Sequence, residues 1–164
     1  MDFCYEVMEI GGNVCVLATP NILTIQNDSL IVFSAKSSIP NIAAQLHYKE
    51  KSYVLANGGL FEWNDAQFIK IIDIDSSTFN QGETLIQFDE NTLLTYSWKQ
   101  SLYVLDLEKK IYTKHALRIT SLKNWRGHVY ALIAGQGIVE LVSKDNQISY
   151  KLISTITEDK ADYM

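Results

Sequence analysis

The sequence predicts an all-β chain of β-propeller blades: four repeats of four antiparallel strands, forming either a whole small propeller or part of a larger one. Three observations carry this. Turn-forming triplets recur at fixed offsets, the runs between them are rich in Ile, Val, Leu, Tyr and Phe, and no segment sustains an amphipathic helical period with caps at both ends. A unit of about 40 residues holding four short strands is the pattern of a propeller blade.

The pattern is clearest in Leu55–Trp63, LANGGLFEW, where Asn57-Gly58-Gly59 separates two apolar runs. Asn and Gly supply the positive φ angles of a tight hairpin. Taking Leu60 as a marker, the arrangement recurs at Ile22, Leu102 and Ile138, with spacings of 38, 42 and 36 residues. Thr19-Pro20-Asn21, Lys99-Gln100-Ser101 and Gly135-Gln136-Gly137 stand before those markers.

The blades cover about residues 1–36, 37–76, 77–117 and 118–158. In the first, Gly11-Gly12-Asn13 and Gln26-Asn27-Asp28 supply the other two turns; in the second, Lys49-Glu50-Lys51 and Asn64-Asp65-Ala66 bracket the runs. Asp89-Glu90-Asn91 and Glu108-Lys109-Lys110 serve the third, Arg126-Gly127-His128 and Lys144-Asp145-Asn146 the fourth. Each run suits a pleated, half-buried surface.

Composition agrees with a packed core: 47% of the 164 residues are hydrophobic, and there are only two prolines and eight glycines. A net charge of −5 has the wrong sign for generic binding to phosphate backbones, so nucleic acid is not an expected partner, nor is membrane insertion. The start, MDFCYEVMEIGGN, carries neither a basic segment nor an apolar stretch of signal length, which places a complete chain in the cytoplasm. A piece of a larger sensor would instead be periplasmic. Cys4 and Cys15 flank the first turn, with Cys15 opposite Met8 or Ile10 and too far from Cys4 for a disulfide. Both are expected as free thiols.

Motifs for chemistry are sparse. The chain has no CxxC, GxSxG or phosphate-binding loop leading into a helix, and His47, His115 and His128 fall at unrelated positions of different repeats, as surface or turn residues. No cofactor is expected. In the link Asp73–Glu83, Asp73, Asp75 and Ser77 match the first oxygen positions of a calcium loop, but Thr78 and Thr84 stand where a Gly and a bidentate Glu are needed. Asp73 and Asp75 are therefore weak metal candidates. Trp63, Trp98 and Trp125 lie near strand ends, where wedge packing between blades is the expected role of each.

Antiparallel topology puts the first and third turns of each blade at one end, and the second turns with the interblade links at the other. The second end collects Asn57, Trp98, Lys99, Gln136 and Arg118 together with the long links. Since loops on a rigid scaffold carry function, these five residues are the expected ligand or partner site.

Tyr53–Asn64 resembles the two-component-regulator propeller repeat, whose core runs aromatic, aliphatic, Gly, Thr, two variable residues, then Gly-Leu and an aromatic-rich strand. Val14–Ile25 and Tyr130–Leu141 are looser versions, with Ala18, Ala56 and Ala134 where the family prefers Thr. The resemblance implies a sensor or interaction module of a bacterial regulator, often recognising carbohydrate, and not an enzyme. It carries no binding residues across.

The expected function is thus a non-catalytic scaffold for a protein partner or a small ligand such as a carbohydrate. The alternative is a carbohydrate-active enzyme or metal-dependent lectin of the same fold, using Asp73, Asp75 and Asn80. No strand is left over to clasp the two terminal blades together, so the chain is expected to pair with a second copy or to continue in a longer propeller.

Overall fold

The computed structural model describes residues 4–18, 21–33, 39, 42–64, 67–75, 84–97, 101–144 and 147–155. Sixteen strands and no helix occur among them. Blade 1 comprises β1 (Cys4–Ile10), β2 (Asn13–Ala18), β3 (Asn21–Gln26) and β4 (Ser29–Val32); blade 2 comprises β5 (Ile42–Tyr48), β6 (Lys51–Ala56), β7 (Gly59–Asn64) and β8 (Gln67–Asp73). Blade 3 holds β9 (Leu85–Gln87), β10 (Thr92–Ser97), β11 (Ser101–Asp106) and β12 (Ile111–His115), and blade 4 holds β13 (Ile119–Trp125), β14 (His128–Ile133), β15 (Gly137–Lys144) and β16 (Gln147–Ser154). Each blade is a four-stranded antiparallel sheet with its strands in sequence order. This is β-propeller architecture.

The hairpins follow from turn chemistry. Gly11-Gly12, Asn27-Asp28, Lys49-Glu50 and Arg126-Gly127 have positive φ at both central residues. That is the conformation whose twist matches the flanking strands. The second turns are less uniform than their shared offsets suggest. Ala56 pairs Gly59, so the blade 2 loop has two residues and Gly59 already belongs to β7; Ala18 pairs Asn21 in the same way. In blades 3 and 4 the loop has three residues, because Ser97 pairs Ser101 and Ile133 pairs Gly137. Gly59 has a further constraint: its φ is 146°, and a Cβ there would overlap the Ile72 carbonyl of the neighbouring strand.

Packing between blades is set by strand alternation. The marker residue faces the following blade: Ile22 joins the core between blades 1 and 2, Leu60 that between 2 and 3, and Leu102 that between 3 and 4. The next residue faces the preceding blade, as Phe61, Tyr103 and Val139 show in the same three cores. Leu60 and Leu102 are fully buried; Ile138, against which no other blade packs among the described residues, is 43% exposed. Each buried Leu contributes on the order of 2 kcal/mol of apolar burial. Among the described residues no core cluster joins blade 4 to blade 1.

Trp63 fills the wedge between blades 1 and 2, with ring centroids 5.1 Å from Phe33 and 4.8 Å from Phe68. Trp125 departs from the expected wedge role: it is 59% exposed on blade 4, with the Arg126 guanidinium 4.6 Å from its ring centre. Among the described residues no other blade packs against that face. Trp98 lies outside the described residues. Cys15 is a buried free thiol opposite Met8, and burial pushes its pKa up despite a hydrogen bond with Thr24. Two buried hydroxyls, Thr95 Oγ1 and Ser97 Oγ, have no hydrogen-bond partner among the described residues.

Two outcomes are expected in urea unfolding. Gly59→Ala destabilises by about 3 kcal/mol or more, while Gly12→Ala, with open space around its Cβ, costs about 1 kcal/mol for its left-handed backbone alone. Thr95→Val, which keeps the shape and removes the unpartnered hydroxyl, raises stability by about 1 kcal/mol; a loss of that size would show that the hydroxyl is satisfied.

Candidate functional site

A cleft of about 530 Å³ opens between blades 2 and 3, at the end that carries the first and third turns. Its blade 2 wall is built from both sides of one hairpin. Tyr48 ends β5, Lys49 and Glu50 form the turn, and Lys51 and Tyr53 lie on β6. Tyr53 and its cross-strand partner Glu62 share the face that looks toward blade 3. Blade 3 contributes Glu90 and Asn91 from its first turn, and Leu107, Glu108 and Lys110 from its third.

The rim is an ion pair between blades. Lys49 Nζ donates to Glu90 Oε1 at 2.8 Å, and the Tyr48 hydroxyl donates to the Glu90 carbonyl at 3.3 Å. Lys49 and Glu50 hold φ values of 50° and 60° without a Gly or Asn between them. Such a backbone costs about 1–2 kcal/mol per residue, so the turn persists because its neighbours hold it. Within blade 2, Lys51 Nζ meets Glu62 Oε1 at 2.9 Å.

These contacts fix the charges. The hydrogen bond to Glu90 raises the pKa of Lys49, and the same bond lowers that of Glu90. The hydrogen bond to Glu62 likewise raises Lys51, and desolvation followed by the Glu62 charge raises the Tyr53 phenol. At neutral pH the lysines and Glu90 are thus held charged and Tyr53 is held neutral. The cleft offers fixed charges, a phenol donor and tyrosine edges to a polar ligand.

Of the residues singled out from the loops, Asn57, Arg118 and Gln136 lie at the opposite end. Asn57 is half-buried at the β6–β7 turn, beside the start of the Asp73–Glu83 link, where Gly58 accepts a hydrogen bond from the Ile74 amide. Arg118 and Gln136 lie at the same end of blade 4, where the Ala134 amide donates to the Arg118 carbonyl at 2.9 Å and the Gln136 amide to the Ile133 carbonyl at 3.0 Å; both residues are exposed. Asp73 is exposed and bonded to Lys70 at 3.0 Å, and Asp75 is exposed as well. Among the described residues no three His, Cys, Asp or Glu side chains group as metal ligands would. Trp98, Lys99 and Asn80 fall outside the described residues. Sequence reasoning missed the cleft: Lys49 and Glu90 stand in the first turns of consecutive blades, but they are 41 residues apart and no local pattern joins them.

No family model matches this chain, and no curated protein matches it in sequence. Its likenesses are to solved structures. The extracellular domain of the hybrid two-component system BT4673 from B. thetaiotaomicron superposes with a TM-score of 0.65 at 11% identity, over 95% of this chain and 22% of that one. The N-terminal domain of Nup159 gives 0.59 at 13% identity, covering 90% and 42%. BamB from Moraxella catarrhalis gives 0.56 at 12% identity, covering 85% and 46%. The chain therefore spans under half the length of each of these propellers. Identities this low show a shared fold.

The rim pair has a defined pH window. Glu90 has a depressed pKa in the folded state, so its contribution is full above the ordinary carboxylate value of about 4.3 and is lost as pH falls through the depressed one. Lys49 is raised, so its contribution is full below about 10.4 and is lost as pH rises through the raised value. The stability difference between the wild type and Glu90→Gln, read as urea midpoints, is expected to be present at pH 7, to be lost as pH falls below the ordinary carboxylate range through the depressed pKa, and to shrink in 1 M salt.

Proposed function

We propose that this chain is a non-catalytic recognition module, an arc of propeller blades that binds a protein segment or a small polar ligand such as a carbohydrate. The observation that carries this is the cleft between blades 2 and 3, whose walls bring Tyr48, Lys49, Lys51, Tyr53, Glu62 and Glu90 together, and the direction of the pKa shifts there agrees with it. A general acid or base needs a pKa drawn toward the working pH. Lys49, Lys51 and Tyr53 are moved up and Glu90 down, each away from neutrality. Groups locked in one protonation state serve hydrogen bonding and charge complementarity without reorganising when a ligand arrives.

The likeness to the extracellular domain of a two-component system supports a sensing role, and a periplasmic setting goes with that reading. The Nup159 likeness includes a structure of Nup159 with Dbp5 and Gle1, which supports a protein partner as the ligand class.

A thermal-shift screen with oligosaccharides, mixed-charge peptides and divalent ions tests the proposal. A ligand at 100 times its Kd stabilises by about 2.7 kcal/mol. Tyr48→Ala and Lys51→Met are expected to reduce that shift by more than half, while Trp98→Ala and Lys99→Ala leave it in place. The reverse pattern moves the site to the second-turn end. Stabilisation by divalent ions alone supports the lectin or enzyme reading instead.

A further inference from the structure

The two terminal blades each leave one sheet face without a neighbour, and the two faces are of opposite kind. In β1 to β4 the residue pairs Val7–Val16, Glu9–Val14, Ile25–Leu30 and Leu23–Val32 lie on the face turned away from blade 2, since Cys15 and Thr24, one step along, belong to the other face. Val7, Val14, Ile25, Leu30 and Val32 are each more than half exposed. This is the face that Phe61, Tyr103 and Val139 occupy in the later blades, where it is always buried against the preceding blade.

Blade 4 lacks the complementary contact. Ile138 stands where Leu60 and Leu102 pack against the following blade, and Leu132, Tyr130, Val142 and Trp125 share its face by the pairings of β13 to β15. Trp125 and Ile138 are exposed, as are Lys123 and Lys151, which lie in the same rung as Tyr130. The blade 4 rung also holds Glu140, which is half-buried and bonded to His128 at 2.6 Å, so its exposed charges are the two lysines, and the blade 1 face carries the exposed Glu9.

We propose that the partner of these faces is a second copy of this chain, arranged so that blade 4 of each copy packs on blade 1 of the other in an eight-bladed ring. Repeat equivalence makes the two faces halves of the interface already formed three times within the chain. A head-to-tail contact of this kind closes into a ring only if its rotation completes a circle. The chain covers 42% of the Nup159 domain and 46% of BamB, a little under half the length of each propeller it superposes on. Five aliphatic side chains left in water on one sheet are costly, and burial against the second copy removes that cost.

Light scattering of the whole chain at micromolar concentration is expected to give twice its 18.6 kDa mass. Ile25→Glu and Ile138→Lys each place an unpaired charge in both interfaces and raise the dissociation constant more than about a hundredfold. An equimolar mixture of the two variants regains the dimer, because the mixed pair has one native interface and one in which the introduced charges oppose. Ile111→Lys, exposed but outside both faces, stays dimeric, and urea midpoints close to the wild type show that the variants remain folded. A folded wild-type monomer, an open-ended series of masses, or disruption by only one of the two face variants with no rescue on mixing overturns the proposal. The monomer would leave further blades of a longer protein as the natural cover.

Discussion

Everything in this fold depends on the contact between one blade and the next. A four-stranded sheet with apolar residues on both faces is not stable alone, and each blade here is of that type: Leu60 and Phe61 are adjacent in sequence, yet one belongs to the core with blade 3 and the other to the core with blade 1. The strand alternation that gives an ordinary sheet a wet face and a dry face gives these sheets two dry ones. Stability therefore accrues per interface, as in any repeat array, and among the described residues the first and last blades each take part in one interblade core.

Backbone chemistry serves that stacking. The Gly11-Gly12 turn lets the Trp63 indole of the next blade approach the chain so closely that a side chain at Gly11 would collide with it. Gly59 allows β8 to lie close against β7, and the Ser52 hydroxyl reaches back to the Glu9 carbonyl at 2.8 Å to tie blade 2 to blade 1. Where glycine is absent, as at Lys49-Glu50, a strained turn is held by partners across the interface. Contacts between blades thus also bear on a turn whose backbone neither of its residues favours.

Much of the architecture was legible because turns are local. Gly11-Gly12, Asn27-Asp28 and Arg126-Gly127 declare their hairpins through φ requirements that few residues meet, and the recurrence of Ile22, Leu60, Leu102 and Ile138 gave the blade period. Loop length was less legible: Asn57-Gly58-Gly59 and Gly135-Gln136-Gly137 share an offset but close with two and three residues, since a strand can absorb one glycine without changing the pattern of apolar residues. Trp125 could not be read correctly, because its exposure depends on whether another blade follows. The cleft was hidden for a similar reason. It is made by two blades together, and Lys49 and Glu90 are 41 residues apart, so no local pattern joins them.

That dependence links recognition to assembly. The cleft walls belong to different blades, and their separation is set by the Tyr53, Leu55, Leu93 and Tyr103 core beneath, not by the exposed Lys49–Glu90 pair at the rim. Exposed pairs are weakly directive, whereas a close-packed wedge resists change in angle. Preorganisation of the cleft is therefore as good as the tilt between blades 2 and 3 is firm. In an open arc that tilt is constrained by one interface on each side; in a closed ring every wedge angle is coupled to all the others, because their sum must complete the circle. Closing the ring would stiffen a site two blades away from either new interface, without any residue of the cleft taking part in the closure.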